Sequence, residues 1–157
     1  MNIQKMSRVG FLLIALVMFF FSSQPGEESN DLSDSVAELI QIEQDGSYLH
    51  LSVQPLVLGL NLRKMAHIAV FAVLGSLAFL SLDFKIIQWK KALYAISVSY
   101  FYACFDEIHQ AFIPERDGSF GDTLIDLFGI LLGIFMILVL NEIFLNIYYE
   151  RSLNAGR

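Results

Sequence analysis

Residues 127–140 run without one charged or hydrogen-bonding side chain. Extended back to Thr123 and on to Phe144, the run reaches the roughly 20 residues that an α-helix needs to cross a hydrocarbon core of about 30 Å. No water is present there to bond a backbone group, so a spanning segment of this kind satisfies its own amides as a helix. Three further segments share the character: about Val9 to Ser23, about Met65 to Leu82, and about Ala92 to Phe105 continuing through Asp106-Glu107-Ile108-His109-Gln110. Composition agrees, since 55% hydrophobic residues and 14 Phe in 157 residues exceed what a soluble domain of this size carries. The sequence therefore predicts an all-α, polytopic membrane protein, a single domain of four transmembrane helices over residues 9–23, 65–82, 92–110 and 123–144.

Charge sorts the connections. Lys and Arg concentrate in cytoplasmic loops, and Lys5 and Arg8 precede the first span while Lys85, Lys90 and Lys91 join the second to the third. Those sides read as cytoplasmic, and both termini with them. The loop over residues 24–62, with Glu27, Glu28, Asp31, Asp34, Glu38, Glu43 and Asp45, then faces outward, as does the loop over residues 112–122. Arg63, Lys64 and Arg116 fall on the outer side, but the reverse orientation misplaces five basic residues instead of three. Within the acidic loop, Ser35-Val36-Ala37-Glu38 has the form of a capping box, which fits either a short helix on the membrane surface or a solvated loop.

Several function classes drop out. No basic stretch with interleaved aromatic residues offers a nucleic-acid surface. The single Cys104 has no partner for a disulfide or a thiolate cluster. The basic start and apolar run from Met6 to Phe21 resemble an export signal, but Ser22-Ser23-Gln24-Pro25-Gly26 follows, and the segment reads as an uncleaved anchor. No cofactor is implied.

The polar residues within the spans carry the functional reading. Lys64 and His67 are three apart and share a face of the second helix. Asp106 and Gln110, four apart, close the third span beside Glu107, and Asp122 and Asp126 repeat that spacing at the start of the fourth. With the orientation above, all of these arrive at the same outer depth. Charge at membrane depth costs free energy, about 2.5–3.5 kcal/mol at a helix centre, so these groups are expected to meet and pair. Lys64, Arg116 and His67 would face Asp106, Glu107, Asp122 and Asp126 in a pocket opening outward. Gly129 and Gly133 follow on the same helix as a small-xxx-small seam, and Gly75 offers a similar surface on the second. His109 reads as an interfacial histidine, and Trp89 and Tyr94 as membrane-interface anchors.

Three roles fit such a cluster. It binds a ligand, with Lys64 and Arg116 holding an anionic group; it catalyses, with His67 as base and Asp106 or Glu107 as acid or orienting group; or it only locks helices together. A metal-assisted version of the second would take His67, Asp106, Glu107 and Asp122 as oxygen and nitrogen ligands, although no HExxH or nucleophile motif accompanies them.

Arg63-Lys64-Met65-Ala66-His67, Leu74-Gly75, the run Asp106-Glu107-Ile108-His109-Gln110-Ala111-Phe112-Ile113-Pro114-Glu115-Arg116, then Asp122, Gly129 and Gly133 form an ordered pattern. As a set it resembles the VanZ-like family of bacterial membrane proteins, named for a component associated with glycopeptide (teicoplanin) resistance. Phe20 to Ser23 resembles the family too. The chain departs from the pattern at Val70-Phe71, where Glu-Tyr is frequent, at Glu115, where Gly is, and at Asp126, where an amide is common. The resemblance implies a multi-pass protein of the bacterial cytoplasmic membrane. Its implied partners are membrane lipid and a lipid-linked cell-envelope precursor or lipophilic glycopeptide. No established reaction comes with it.

Overall fold

The computed structural model describes residues 2–25, 49–53, 56–60, 62–83, 85–116 and 118–155. The capping box at 35–38 and the acidic residues from Glu27 to Asp45 lie outside them. Each of the four apolar segments is helical: α1 Ile3–Ser22, α2 Leu62–Ser81, α3 Gln88–Gln110 and α4 Phe120–Ala155. Helix α1 begins where Asn2 caps it, its side-chain oxygen accepting from the Gln4 amide at 3.3 Å.

Three helical segments are long and apolar enough to cross a membrane: Ile3–Ser22, Lys64–Ser81 and Phe120–Tyr148. Helix α3 matches them in length, at 23 residues, but carries Lys90 and Lys91 at one end and Asp106 and Glu107 at the other, so only its middle is apolar. Helix α4 outruns the rest. Its 36 residues rise about 54 Å, and every described side chain from Val139 to Tyr148 is exposed.

One element departs from the all-helical expectation. Strands β1, Leu49–Val53, and β2, Leu56–Leu60, pair antiparallel with Leu51 opposite Leu58, inside the segment expected to be an outer loop. The physical signal is the period-two alternation Leu49-His50-Leu51-Ser52-Val53.

Neighbouring helices in sequence run in opposite directions. At one end Arg8 Nε donates to the Ser81 carbonyl at 3.2 Å and Gln4 Nε2 to that of Leu82 at 3.5 Å, tying the start of α1 to the end of α2. At the other end the close of α1 meets the close of α3, and the start of α2 meets the start of α4. Helices α2 and α4 are thus parallel, and their backbones nearly touch. A Cβ on Gly75 would stand 2.9 Å from the Ile130 carbonyl oxygen, and one on Gly129 2.5 Å from that of Ile68; one on Gly133 would collide with the Ala72 carbonyl. The small-residue seam read from the sequence is the α2–α4 contact.

Polar and apolar surfaces are inverted relative to a soluble bundle. Phe71, Leu74, Ala103 and Ile130 fill the centre, but Ser99, Asp106, Gln110 and Asp126 are buried with them. Outside, Leu12, Leu16, Phe101, Ile108, Phe135 and Phe144 are exposed. That apolar girdle is compatible with lipid contact, and a chain whose outer wall is hydrocarbon buries its hydrogen-bonding groups among themselves.

Candidate functional site: a polar cluster at one end of the bundle

The i, i+3 pair on α2 meets the i, i+4 pair on α4 rung by rung. Lys64 Nζ lies 3.3 Å from Asp122 Oδ1, and one turn deeper His67 Nδ1 lies 3.1 Å from Asp126 Oδ1. Parallel helices make this possible, because residues at matching spacing on adjacent faces stay level with one another. The two rungs differ in setting. Lys64 and Asp122 keep side-chain exposures of 41% and 33%, whereas the Asp126 side chain has none.

On α3 a buried stripe runs through Ala95, Ser99, Ala103, Asp106, Glu107 and Gln110. Gln110 Nε2 donates to Asp106 Oδ2 at 2.7 Å, the helical pairing its spacing implied, and lies 3.4 Å from Ser22 Oγ. Glu107 Oε1 accepts the Ser119 amide at 2.7 Å, which pins the segment entering α4 against the end of α3. Tyr100 Oη and Thr123 Oγ1 lie 3.4 Å apart and bridge the same two helices.

Arg116 is buried, and its Nη2 donates to the Phe21 carbonyl at 3.1 Å. The last carbonyls of a helix have no intrahelical donor, so this guanidinium closes the end of α1. Beside it His109 lies 3.0 Å from Ser23 Oγ and stacks on Phe19 with centroids 4.5 Å apart. Since the Ser23 hydroxyl donates to the Phe19 carbonyl at 2.7 Å, the His109 Nε2 is the donor in the pair. His109, read as a bare interfacial residue, fastens α1 to α3.

Lys64, His67, Asp106, Glu107, Gln110, Arg116, Asp122 and Asp126 therefore all sit at one end of the bundle. The metal-ligand grouping of His67, Asp106, Glu107 and Asp122 does not form: among the described residues no three His, Cys, Asp or Glu side chains are placed to hold a metal ion.

The order of these residues along the chain has a counterpart among known proteins. The VanZ/LLP1 family model matches residues 9–141, which takes in α2 and α3 whole and the greater part of α1 and α4. The chain belongs to the VanZ/LLP1 family. No curated protein and no solved structure matches it. In this VanZ/LLP1 chain the motif from Asp106 to Arg116 is the hinge of the cluster. Its helical part supplies the buried stripe, and its turn returns the chain to α4. That turn holds Glu115 at φ 61°, a left-handed conformation that an L side chain adopts at a cost.

Sequence reasoning missed the contribution of α1. Ser22, Ser23 and the Phe21 carbonyl bind α3 and the motif loop; the family-like run from Phe20 to Ser23 marked the place but named no partner. Thr123 and Tyr100 were missed as well. A single hydroxyl on an apolar helix carries no spacing from which a partner can be read.

Proposed function

We propose that this VanZ/LLP1 protein spans the bacterial cytoplasmic membrane four times, α3 being the fourth spanning helix, with both termini in the cytoplasm. In this reading the polar end of the bundle lies beneath the surface of the outer leaflet. There it binds a charged, lipid-linked component of the cell envelope, or protects that component from glycopeptide-type antibiotics. The orientation is supported by Lys5, Arg8, Lys85, Lys90 and Lys91, which the Arg8–Ser81 and Gln4–Leu82 contacts gather at the opposite end.

The observation that carries the binding reading is the Lys64–Asp122 pair. It is partly open to solvent, while the groups behind it are buried. An exposed ion pair is held weakly, contributing about 0–1 kcal/mol, so an incoming phosphate or carboxylate can take the place of Asp122 on Lys64 at little cost. Arg116, committed to the end of α1, positions the loop beside that mouth. Replacing Lys64 by Ala is expected to abolish binding of a lipid-linked precursor by the purified protein and to alter glycopeptide susceptibility of cells that depend on it. Unchanged binding and unchanged susceptibility in a correctly inserted variant would end this reading.

A second reading is favoured by the His67–Asp126 contact. A buried carboxylate on one ring nitrogen of a histidine orients the imidazole for acid–base work on a lipid-linked substrate. His67 is then the base, Asp126 its orienting group, and Glu107 or Asp106 the acid. Turnover of a lipid-linked precursor that His67→Gln eliminates would establish it, and intact precursor after long incubation with wild-type protein would dismiss it.

A further inference from the structure

Half of the ten Lys and Arg residues, in a chain of net charge -6, gather at the end of the bundle opposite the polar cluster: Lys5, Arg8, Lys85, Lys90 and Lys91. Contacts with the close of α2 bring them together. Arg8 Nε donates to the Ser81 carbonyl at 3.2 Å, and Lys5, three residues earlier on α1, shares its face. Lys91 Nζ stands 4.4 Å from the centre of the Phe79 ring, which sets the start of α3 against the same helix end. Lys85 belongs to the short turn between α2 and α3, where its amide donates to Asp83 Oδ1 at 3.0 Å.

The protein's own carboxylates do not neutralise this end. Lys5, Arg8, Lys85 and Lys90 are exposed, and among the described residues none of the four forms an ion pair. Two acids lie near them. Asp83 gives one oxygen to the Lys85 amide, and the register that sets Gly129 against Ile68 and Gly133 against Ala72, carried on along both helices, brings Glu142 level with Ser81. Cations remain in excess. Ile87, Trp89 and Leu93 are exposed among them, and Lys90 Nζ lies 5.4 Å from the Trp89 ring centre. Trp settles at headgroup depth in a membrane, so the unpaired charges stand at the level of lipid phosphates with apolar side chains beside them.

We infer that this end of the bundle binds anionic phospholipid, its headgroup phosphates on Lys5, Arg8, Lys85 and Lys90 and the adjoining acyl chains against Ile87, Trp89 and Leu93. A free anion would use the cations alone, whereas a lipid uses both parts of the surface. Each Lys or Arg held near an anionic membrane surface strengthens the attraction about fivefold. The inference concerns the end opposite the Lys64–Asp122 mouth, and its test requires no envelope component.

The full chain, purified in a zwitterionic detergent, is unfolded by heat as phosphatidylglycerol or phosphatidylcholine of the same acyl composition is added. Phosphatidylglycerol is expected to raise the midpoint above that in phosphatidylcholine along a saturating curve, as a ligand of the folded state does. Most of that difference should vanish in about 1 M salt, where the Debye length is about 3 Å. In the double variant Lys85→Gln with Lys90→Gln, the half-saturating phosphatidylglycerol content should rise at least about tenfold. Lys5→Gln alone supplies a second comparison, with a rise of severalfold. Equal midpoints in the two lipids overturn the inference, as does a shift of the same size given by inorganic phosphate, which marks a free-anion site. A phosphatidylglycerol response unchanged in these variants overturns it too, and its loss in Lys64→Ala would place the lipid at the opposite rim.

Discussion

His67 Nδ1 and Asp126 Oδ1 face each other at 3.1 Å across the α2–α4 contact, and the Asp126 side chain has no exposed surface. A buried carboxylate stripped of its partner keeps the desolvation cost and loses the compensation. His67→Ala is therefore expected to destabilise the protein by about 3–5 kcal/mol. The double variant His67→Ala with Asp126→Asn should recover part of that loss. Unfolding of the purified variants in mixed micelles measures both, and a double variant no better than the single one would show that the pair does not act as a unit.

One turn further out, the Lys64–Asp122 rung gives the opposite expectation. Its exposure lets water solvate either partner alone, so Lys64→Ala should change stability by less than about 1 kcal/mol. Loss of binding in a variant of near wild-type stability is then a loss of recognition and not of fold.

The glycine seam tolerates no added atom on α4. A side chain at position 133 meets the Ala72 backbone carbonyl, which cannot swing away as a flexible side-chain end can. Gly133→Val should cost about 1–3 kcal/mol, visible as a lower unfolding midpoint. Wild-type stability in that variant would mean that the helices stand further apart than described.

Glu115 invites a stabilising change. Its φ of 61° belongs to the left-handed region, where an L residue pays roughly 1–2 kcal/mol and glycine adopts the conformation freely. Glu115→Gly is expected to raise stability by about 1 kcal/mol, scored by the same unfolding assay. A decrease would mean that the interaction Glu115 makes is worth more than the strain.

Topology has a direct test on a Cys104→Ser background. Single cysteines at Gln24 and Phe112 should react with an impermeant thiol reagent added to intact cells, and one at Lys85 only after lysis. Labelling of all three from one side would remove the four-span arrangement.

How much of this was legible in the sequence depends on the type of information. Helix faces were: the spacings of Lys64 with His67, Asp106 with Gln110 and Asp122 with Asp126 each assign two residues to one stripe, and the structure places all six at one end. Pairing was not, because spacing within a helix says nothing of which rung on the next helix stands opposite. Arg116 read as a ligand for anions, and its contact with the end of α1 was not foreseen, since nothing in a loop sequence reports the direction in which a long side chain returns. Thr123 and Ser99 were silent for a similar reason, and Ser22 and Ser23 showed only as part of the family-like run that closes the first span. The hairpin at Leu49–Leu60 escaped notice because a single short alternation is a faint signal next to helical runs of twenty residues.

The near-contact of α2 and α4 governs more than packing. Gly129 sits against Ile68 and Gly133 against Ala72, both at one-turn intervals. Sliding α4 by a turn would present Ile137, with its branched side chain, where only a hydrogen atom fits. The seam works as a vernier, and it holds Lys64 opposite Asp122 and His67 opposite Asp126 from a distance. A substitution deep in the hydrocarbon can thus mistune the charges near the surface without touching any of them.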